Sequence, residues 1–209
     1  MRRRLLIAVC FLLVAFLVPS HAMAAAESTK FKGPSAFAFF TSTDPDGCLV
    51  TYTSVSATDG RIKEGGGKPQ TVSEVYVGIF QYNQCTNVVL VDAFDFATVS
   101  PEALQVDKKL NSATLNTTIE VCDLVPDPDN CFPVAINLTW SGTGPLRNEK
   151  SKYQFNDGTC KFRSDFMGSF RDAVATGSVT AFGINFTPEP SVFAQMADVK
   201  TGTTLINCP

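Results

Sequence analysis

Residues 115–140 read LNTTIEVCDLVPDPDNCFPVAINLTW, and this stretch decides the fold. Leu115, Thr117, Ile119 and Val121 alternate with Asn116, Thr118 and Glu120. After a connection at Asp123–Asn130 that holds two prolines, Val134, Ile136, Leu138 and Trp140 alternate with Ala135, Asn137, Thr139 and Ser141. A period of two puts one set of side chains on a core and the other in water, as in an antiparallel sheet. The two segments therefore read as the arms of a hairpin. Its mouth brings Cys122 and Cys131 together, within the ~5.5 Å Cα separation that a disulfide prefers.

The same pattern extends outward in both directions. Val75, Val77 and Ile79 alternate with Tyr76, Gly78 and Phe80, a strand apolar on both faces. Phe162, Phe166 and Phe170 alternate with Lys161, Arg163, Asp165 and Arg171. Further apolar segments run Ala36–Thr41, Cys48–Ser56, Val88–Thr98 and Val179–Phe186. The breaks between them carry turn chemistry: Asp44-Pro45-Asp46-Gly47, Asp59-Gly60, Gly65-Gly66-Gly67 and Asn156-Asp157-Gly158. Strands joined by short connections, with no alternating helix pattern, exclude a doubly wound parallel sheet. The expected fold is one all-β domain, an antiparallel two-sheet sandwich, with an up-and-down β-barrel as the alternative. One short helix is expected at Ser100–Leu110, where Ser100 caps and Pro101 takes the first position, with a second short turn after Ser191.

The first 26 residues read as a secretory signal peptide. Met1-Arg2-Arg3-Arg4 precedes an uncharged run from Leu5 to Val18, and Ala22-Met23-Ala24-Ala25-Ala26 supplies small residues for cleavage. That run of 14 residues falls short of the ~20 a bilayer span needs. Cys10 lies inside the run, not after it, which does not fit a lipoprotein. Residues 27–209 are then a single disulfide-stapled domain, secreted or periplasmic, with no membrane span. They carry 14 Lys and Arg against 20 Asp and Glu, a net −6, and they lose His21, the one histidine.

Six cysteines remain: Cys48, Cys85, Cys122, Cys131, Cys160 and Cys208. An even count in an exported chain reads as three disulfides. Beside Cys122–Cys131, pairing neighbours in sequence gives Cys48–Cys85 and Cys160–Cys208. No C-x-x-C spacing and no histidine supports zinc.

The chemistry is bounded mainly by what is missing. Without histidine, Ser-His-Asp and Cys-His arrangements are excluded. Gly65-Gly66-Gly67-Lys68 lacks the spacing of a phosphate-binding loop. The acidic balance argues against a nucleic-acid partner. Asp92 and Asp95 are conspicuous on an apolar strand, but their odd spacing sets them on opposite faces, which spoils them as a catalytic pair. Asp123, Asp127, Asp129 and Asn130, and likewise Asp44 with Asp46, offer oxygens for calcium, although the same residues are ordinary in turns. Tyr76, Phe80 and Tyr82 share one strand face, and Phe94 and Phe96 share another. Exposed they would form a stacking platform; the composition, with 17 Phe, leads us to expect them in an aromatic core. Lys161, Arg163 and Arg171 with Asp165 read as a solvated strip.

No catalytic, cofactor or metal residue is assigned. The expected function is that of an exported, non-catalytic β domain binding an extracellular ligand or surface partner. The alternatives are a carboxylate-dependent glycan hydrolase and a barrel carrying a small apolar ligand. The first expected outcome concerns processing: intact mass of the exported protein places the N-terminus between Ala25 and Glu27. A species retaining Met1–Val18 would return the N-terminal segment to an anchor.

Overall fold

A computed structural model describes residues 27–124, 130–156 and 160–206; the proposed signal segment and Cys208 lie outside them. Ten strands account for nearly all of it: β1 (Glu27–Thr43), β2 (Leu49–Glu64), β3 (Gln70–Asn83), β4 (Val88–Thr98), β5 (Leu104–Val106), β6 (Ser112–Asp123), β7 (Cys131–Asn156), β8 (Lys161–Ala181), β9 (Ile184–Asn185) and β10 (Phe193–Ile206). Every pairing is antiparallel, and no helix occurs among the described residues.

The pairing order runs β10-β1-β2-β3-β4-β6-β7-β8, and β8 also pairs with β10, so the circuit returns on itself. The circuit is thin at one step. β4 and β6 pair only at Ala93↔Asp123 and Phe94↔Cys122. The result is sandwich-like: β1–β4 form one wall and β6–β8 the other, with one core between them. Trp140 spans that core from β7, and its indole Nε1 donates to the Phe37 carbonyl of β1 at 2.9 Å. The expected hairpin is β6–β7, in register from Ser112↔Ser141 to Cys122↔Cys131.

Two segments close the ends. The segment Phe186–Val192 lies over one end: Thr53 Oγ1 donates to the Phe186 carbonyl, Val192 N to Phe39, and Ser191 N to Ala175. The other end is closed by residues 99–111, where a helix was expected and a turn–strand–turn is found. Ser100 does start a turn, accepting from Ala103 N at 2.9 Å. The chain then leaves helical geometry because Leu104 and Val106 pair with Leu115 and Ala113 of β6, burying Leu104 and Leu110. Asp107 Oδ2 holds the second turn through the Asn111 amide at 3.1 Å.

The core itself differs from the aromatic one expected. It is built largely from Ala36, Ala38, Val55, Ala57, Val75, Val77, Ala93, Ala175 and similar small residues, around Trp140 and a few Phe and Leu. With small residues at most inward positions, most large rings point outward.

Two disulfides are present among the described residues. Cys48–Cys85 ties the start of β2 to the β3–β4 turn, with a Cα–Cα distance of 5.2 Å, and Cys122–Cys131 closes the mouth of the β6–β7 hairpin at 4.0 Å. Cys160 is also disulfide-bonded; Cys208, its expected partner, lies outside the described residues. Two such bonds point to an oxidising environment, extracellular or periplasmic. No helix of the described residues is long and apolar enough to cross a membrane.

Beyond the 99–111 closure the strands continue. The ends of β7 (147–156), β8 (161–171), β10 (198–206), β1 (27–34) and β2 (59–64) form a flange with no opposing wall, and Gln70–Ser73 of β3 flank β2 along part of it. A small second cluster of Phe170, Ala197 and Val199, with Phe31 and Phe166, covers one of its faces. β7 rejoins β8 after an irregularity between Thr143 and Arg147. There Arg147 Nη1 and Nη2 donate to Asp172 Oδ2 and Oδ1 at 2.6 and 2.7 Å, and Gln195 Nε2 reaches Oδ1 at 3.4 Å.

Two outcomes follow from these contacts. Trp140→Phe leaves the Phe37 carbonyl without its partner and is expected to cost about 1–3 kcal/mol in denaturant titrations followed by circular dichroism. The Arg147 hydrogen bonds hold the Asp172 carboxyl below the ordinary carboxylate range, against a smaller opposing effect of burial. A carboxylate whose folded pKa is depressed stabilises above its unfolded pKa of ~3.9 and loses that contribution as pH falls through the folded value. The side chains are 41% and 46% exposed, so the pair is worth only about 0.2–1 kcal/mol. Asp172→Asn should therefore lower the unfolding midpoint slightly at pH 7 and leave it unchanged near pH 2.

Candidate functional site

The outward face of β1–β4 carries the aromatic residues. Inward positions on these strands are buried (Ala36, Ala38 and Phe40; Val55 and Ala57; Val75, Val77 and Ile79; Ala93), so the alternate positions must face out. The register then stacks them in rows across the sheet. Phe193, Phe39, Ser54, Gly78 and Phe94 lie side by side on β10, β1, β2, β3 and β4. The next row holds Gln195, Phe37, Ser56, Tyr76 and Phe96, and the row on the other side holds Thr41, Tyr52, Phe80 and Asp92.

The rings form two groups. Phe39, Tyr52, Phe80 and Tyr82 run in a chain, each centroid about 6 Å from the next (6.1, 6.2 and 6.5 Å). Tyr76 and Phe96 form a tighter pair at 4.6 Å. Between the two groups the row contains Ser54 and Gly78, and this small floor leaves a groove of about 200 Å³. Phe39, Tyr52, Phe80, Tyr76, Phe94 and Asp92 line it. Gly78 keeps this floor open: a Cβ would lie 2.7 Å from the Tyr76 hydroxyl oxygen and 2.9 Å from Ser54 Oγ, so those side chains would have to shift to admit it. Tyr52, Phe94 and Phe96 remain 40%, 44% and 55% exposed.

A contiguous aromatic face of this kind is uncommon on a monomer. Its chemistry is that of stacking and hydrogen bonding. The walls are flat rings, and the polar groups within reach are the Ser54 and Tyr hydroxyls and one carboxylate, Asp92. Asp95 lies on the inward side of β4, opposite Val77, and its Oδ1 accepts from the amide of its neighbour, Phe96 N, at 2.7 Å. Asp92 and Asp95 are thus on opposite faces, and Asp92 is the one carboxylate lining this groove.

The rings expected in the core, Tyr76, Phe80, Tyr82, Phe94 and Phe96, are brought together outside it and onto one face. Reading the strands singly missed Phe37, Phe39, Tyr52 and Phe193. A signal was present: Ala36-Phe37-Ala38-Phe39 alternates small with large, and small residues are what a narrow core takes in.

Two of the proposed calcium ligands, Asp44 and Asp123, serve the backbone. Asp44 Oδ1 accepts from Leu49 N at 2.9 Å and Asp123 Oδ1 from Asp92 N at 3.1 Å; Asp127 and Asp129 lie outside the described residues. A second cavity, of about 430 Å³, opens at the root of the flange, lined by Lys32, Pro34, Asp59, Arg61, Pro101 and Asp198 among others.

No family model matches the chain, and no curated protein matches it. Among solved structures, a protein of Nitrosomonas europaea provisionally designated AttH is similar at a TM-score of 0.31 and 10% identity, over 92% of this chain. The chain spans 58% of that protein's length, and a likeness at this score carries no argument about either fold or function.

Proposed function

We propose that the chain is an exported, non-catalytic β domain that binds a glycan at or outside the cell surface, through the aromatic face of β1–β4. The observation that carries this reading is the outward row of rings flanking the Ser54–Gly78 floor. Sugar rings present apolar C–H faces and hydroxyl edges, and a groove with flat aromatic walls and hydroxyl and carboxylate acceptors suits both. A purely apolar ligand would want an enclosed cavity, and this groove is open. Hydrolysis of a glycosidic bond needs two carboxyl groups flanking one site, and Asp92 has no partner along the groove.

Titration calorimetry of the exported chain against neutral polysaccharides tests the reading. Tyr52→Ala and Phe94→Ala, which truncate exposed rings on either side of the groove, should each weaken binding about 5–30-fold, the loss of ~1–2 kcal/mol of aromatic contact. Gly78→Val, which fills the floor, should abolish it. Asp92→Asn should produce no change in turnover, because none is expected in the parent. Binding that survives all three groove substitutions would remove this face from the function, and turnover lost in Asp92→Asn would make the protein a hydrolase.

A further inference from the structure

The flange has two unlike faces. Along each strand the residues alternate between them, and the register sorts them. One face takes Phe31, Tyr153, Phe155, Phe162, Phe166 and Phe170. The other continues the inward face of the body past the 99–111 closure. Across it, one row reads Lys150, Met167, Lys200, Lys32 and Arg61 on β7, β8, β10, β1 and β2. The next row reads Lys152, Asp165, Gly202, Lys30 and Lys63. Arg163 and Lys161 follow toward the end of β8. Nine of the 14 basic residues of 27–209 thus share one face of a chain whose net charge is −6. Three acids accompany them: Asp165 within the rows, and Asp59 and Asp198 at the inner edge.

Several of these cations are directly opposed: Lys30 to Lys63, and Lys32 to both Arg61 and Lys200. Like charges directly opposite one another destabilise a sheet. Lysines that guard a sheet edge against aggregation would sit on edge strands, yet Lys30, Lys32 and Lys200 are on β1 and β10, which have neighbours on both sides. Nor are the charges matched within the protein. Among the described residues the ion pairs on this face are Arg163–Asp165 at 3.2 Å and Lys152–Asp165, whose 3.9 Å is near enough for attraction but too long for a hydrogen bond.

We propose that this face binds an acidic polysaccharide. Five strands about 4.8 Å apart set the Lys150–Arg61 row over roughly 19 Å, and rows two residues apart repeat every ~7 Å, a grid for a chain of anionic groups and not for one. The cavity of about 430 Å³ at the root of the grid, with Lys32 and Arg61 on its wall, gives the polymer a recess. Seven of the nine cations are Lys, which attracts as a point charge and does not demand the bidentate geometry of Arg. The choice of polyanion rests on the rings. Proteins that hold single-stranded nucleic acid interleave aromatic side chains with the charges so that bases stack, and on the flange every aromatic side chain lies on the opposite face. An oxidising compartment is also where surface polysaccharides are met.

The experiment uses the exported chain, with dextran sulfate as the probe, neutral dextran and a single-stranded oligothymidylate as comparators, and affinity measured across salt concentration. The triple variant Lys32→Ser, Arg61→Ser, Lys200→Ser should bind dextran sulfate at least about 10-fold more weakly at low salt, with the log–log salt slope reduced by about 3. Because it removes opposed like charges, it should also melt no lower than the parent, which separates lost binding from lost folding. The control triple Lys68→Ser, Lys108→Ser, Lys109→Ser, off this face, should change affinity less than about 2-fold despite the same change in net charge. Equal loss in both triples, no binding of dextran sulfate by the parent, or tighter binding of the oligothymidylate at equal charge concentration would each overturn the proposal. Tyr52→Ala, on the other surface, should leave dextran sulfate binding intact, so failure here and failure of the aromatic groove are told apart.

Discussion

The separation of the two walls governs the rest of the molecule. Inward positions of β1–β4 and β8 are held by Ala36, Ala38, Ala57, Ala93, Ala173 and Ala175, with Val55, Val75 and Val77 between them. Interiors are packed to crystal density, so a space filled by alanines has no room for added rings. Trp140 is the largest of the few rings it takes in, beside Phe40, Phe132 and Phe186, and it reaches far enough to hydrogen-bond the opposite wall. Once the interior is set by small residues, a chain with many Phe and Tyr must carry them elsewhere. The aromatic surface of β1–β4 is thus a result of this packing constraint.

This explains which features could be read in the sequence. Period-two alternation in residues 115–121 and 134–140 located β6, β7 and their register, and with them the Cys122–Cys131 contact. The strand character of the chain was equally plain. The direction of the rings was not, because Val75-Tyr76-Val77-Gly78-Ile79-Phe80 is apolar on both sides, and hydrophobicity alone cannot say which side is inside. Side-chain volume could have said so. The 100–110 segment misled in the usual way: Ser100-Pro101-Glu102 does begin a turn, but burial of Leu104 against β6 outweighs local preference. The flange was hardest to see. Residues 147–156 are polar or charged on one face and only partly aromatic on the other, a pattern that a strand buried on neither face is free to have. Charge was misread by summation. A net of −6 conceals a cationic region because the acids are scattered and the bases are not, and only register brings Lys30 beside Lys63 and Lys32 beside Arg61 and Lys200.

The two surfaces share strands. β1 contributes Phe37 and Phe39 to the aromatic face of the body and Lys30 and Lys32 to the basic face of the flange, and β2 contributes Tyr52 and Arg61. Both faces therefore belong to one rigid hydrogen-bonded sheet, on opposite sides of it. The Cys48–Cys85 disulfide sits at the β2–β3–β4 turns, and Cys122–Cys131 ties β6 to β7 across the sheet, with Cys122 opposite Phe94 of the aromatic face.

The long pairing of β1 with β10 bears on how the chain acquires its shape. Glu27 lies opposite Leu205, and the ladder continues without interruption to Phe39 and Phe193. The first and last strands are thus neighbours, and β10 is also the link between β1 and β8. Contacts so distant in sequence carry a large loop-closure entropy and slow the approach to the native state. Until residues 193–206 have emerged, β1 and β8 both present unpaired edges and the circuit cannot close. A chain of this design has little opportunity to close its sheet before β10 has been made, and its folding is governed by that late strand.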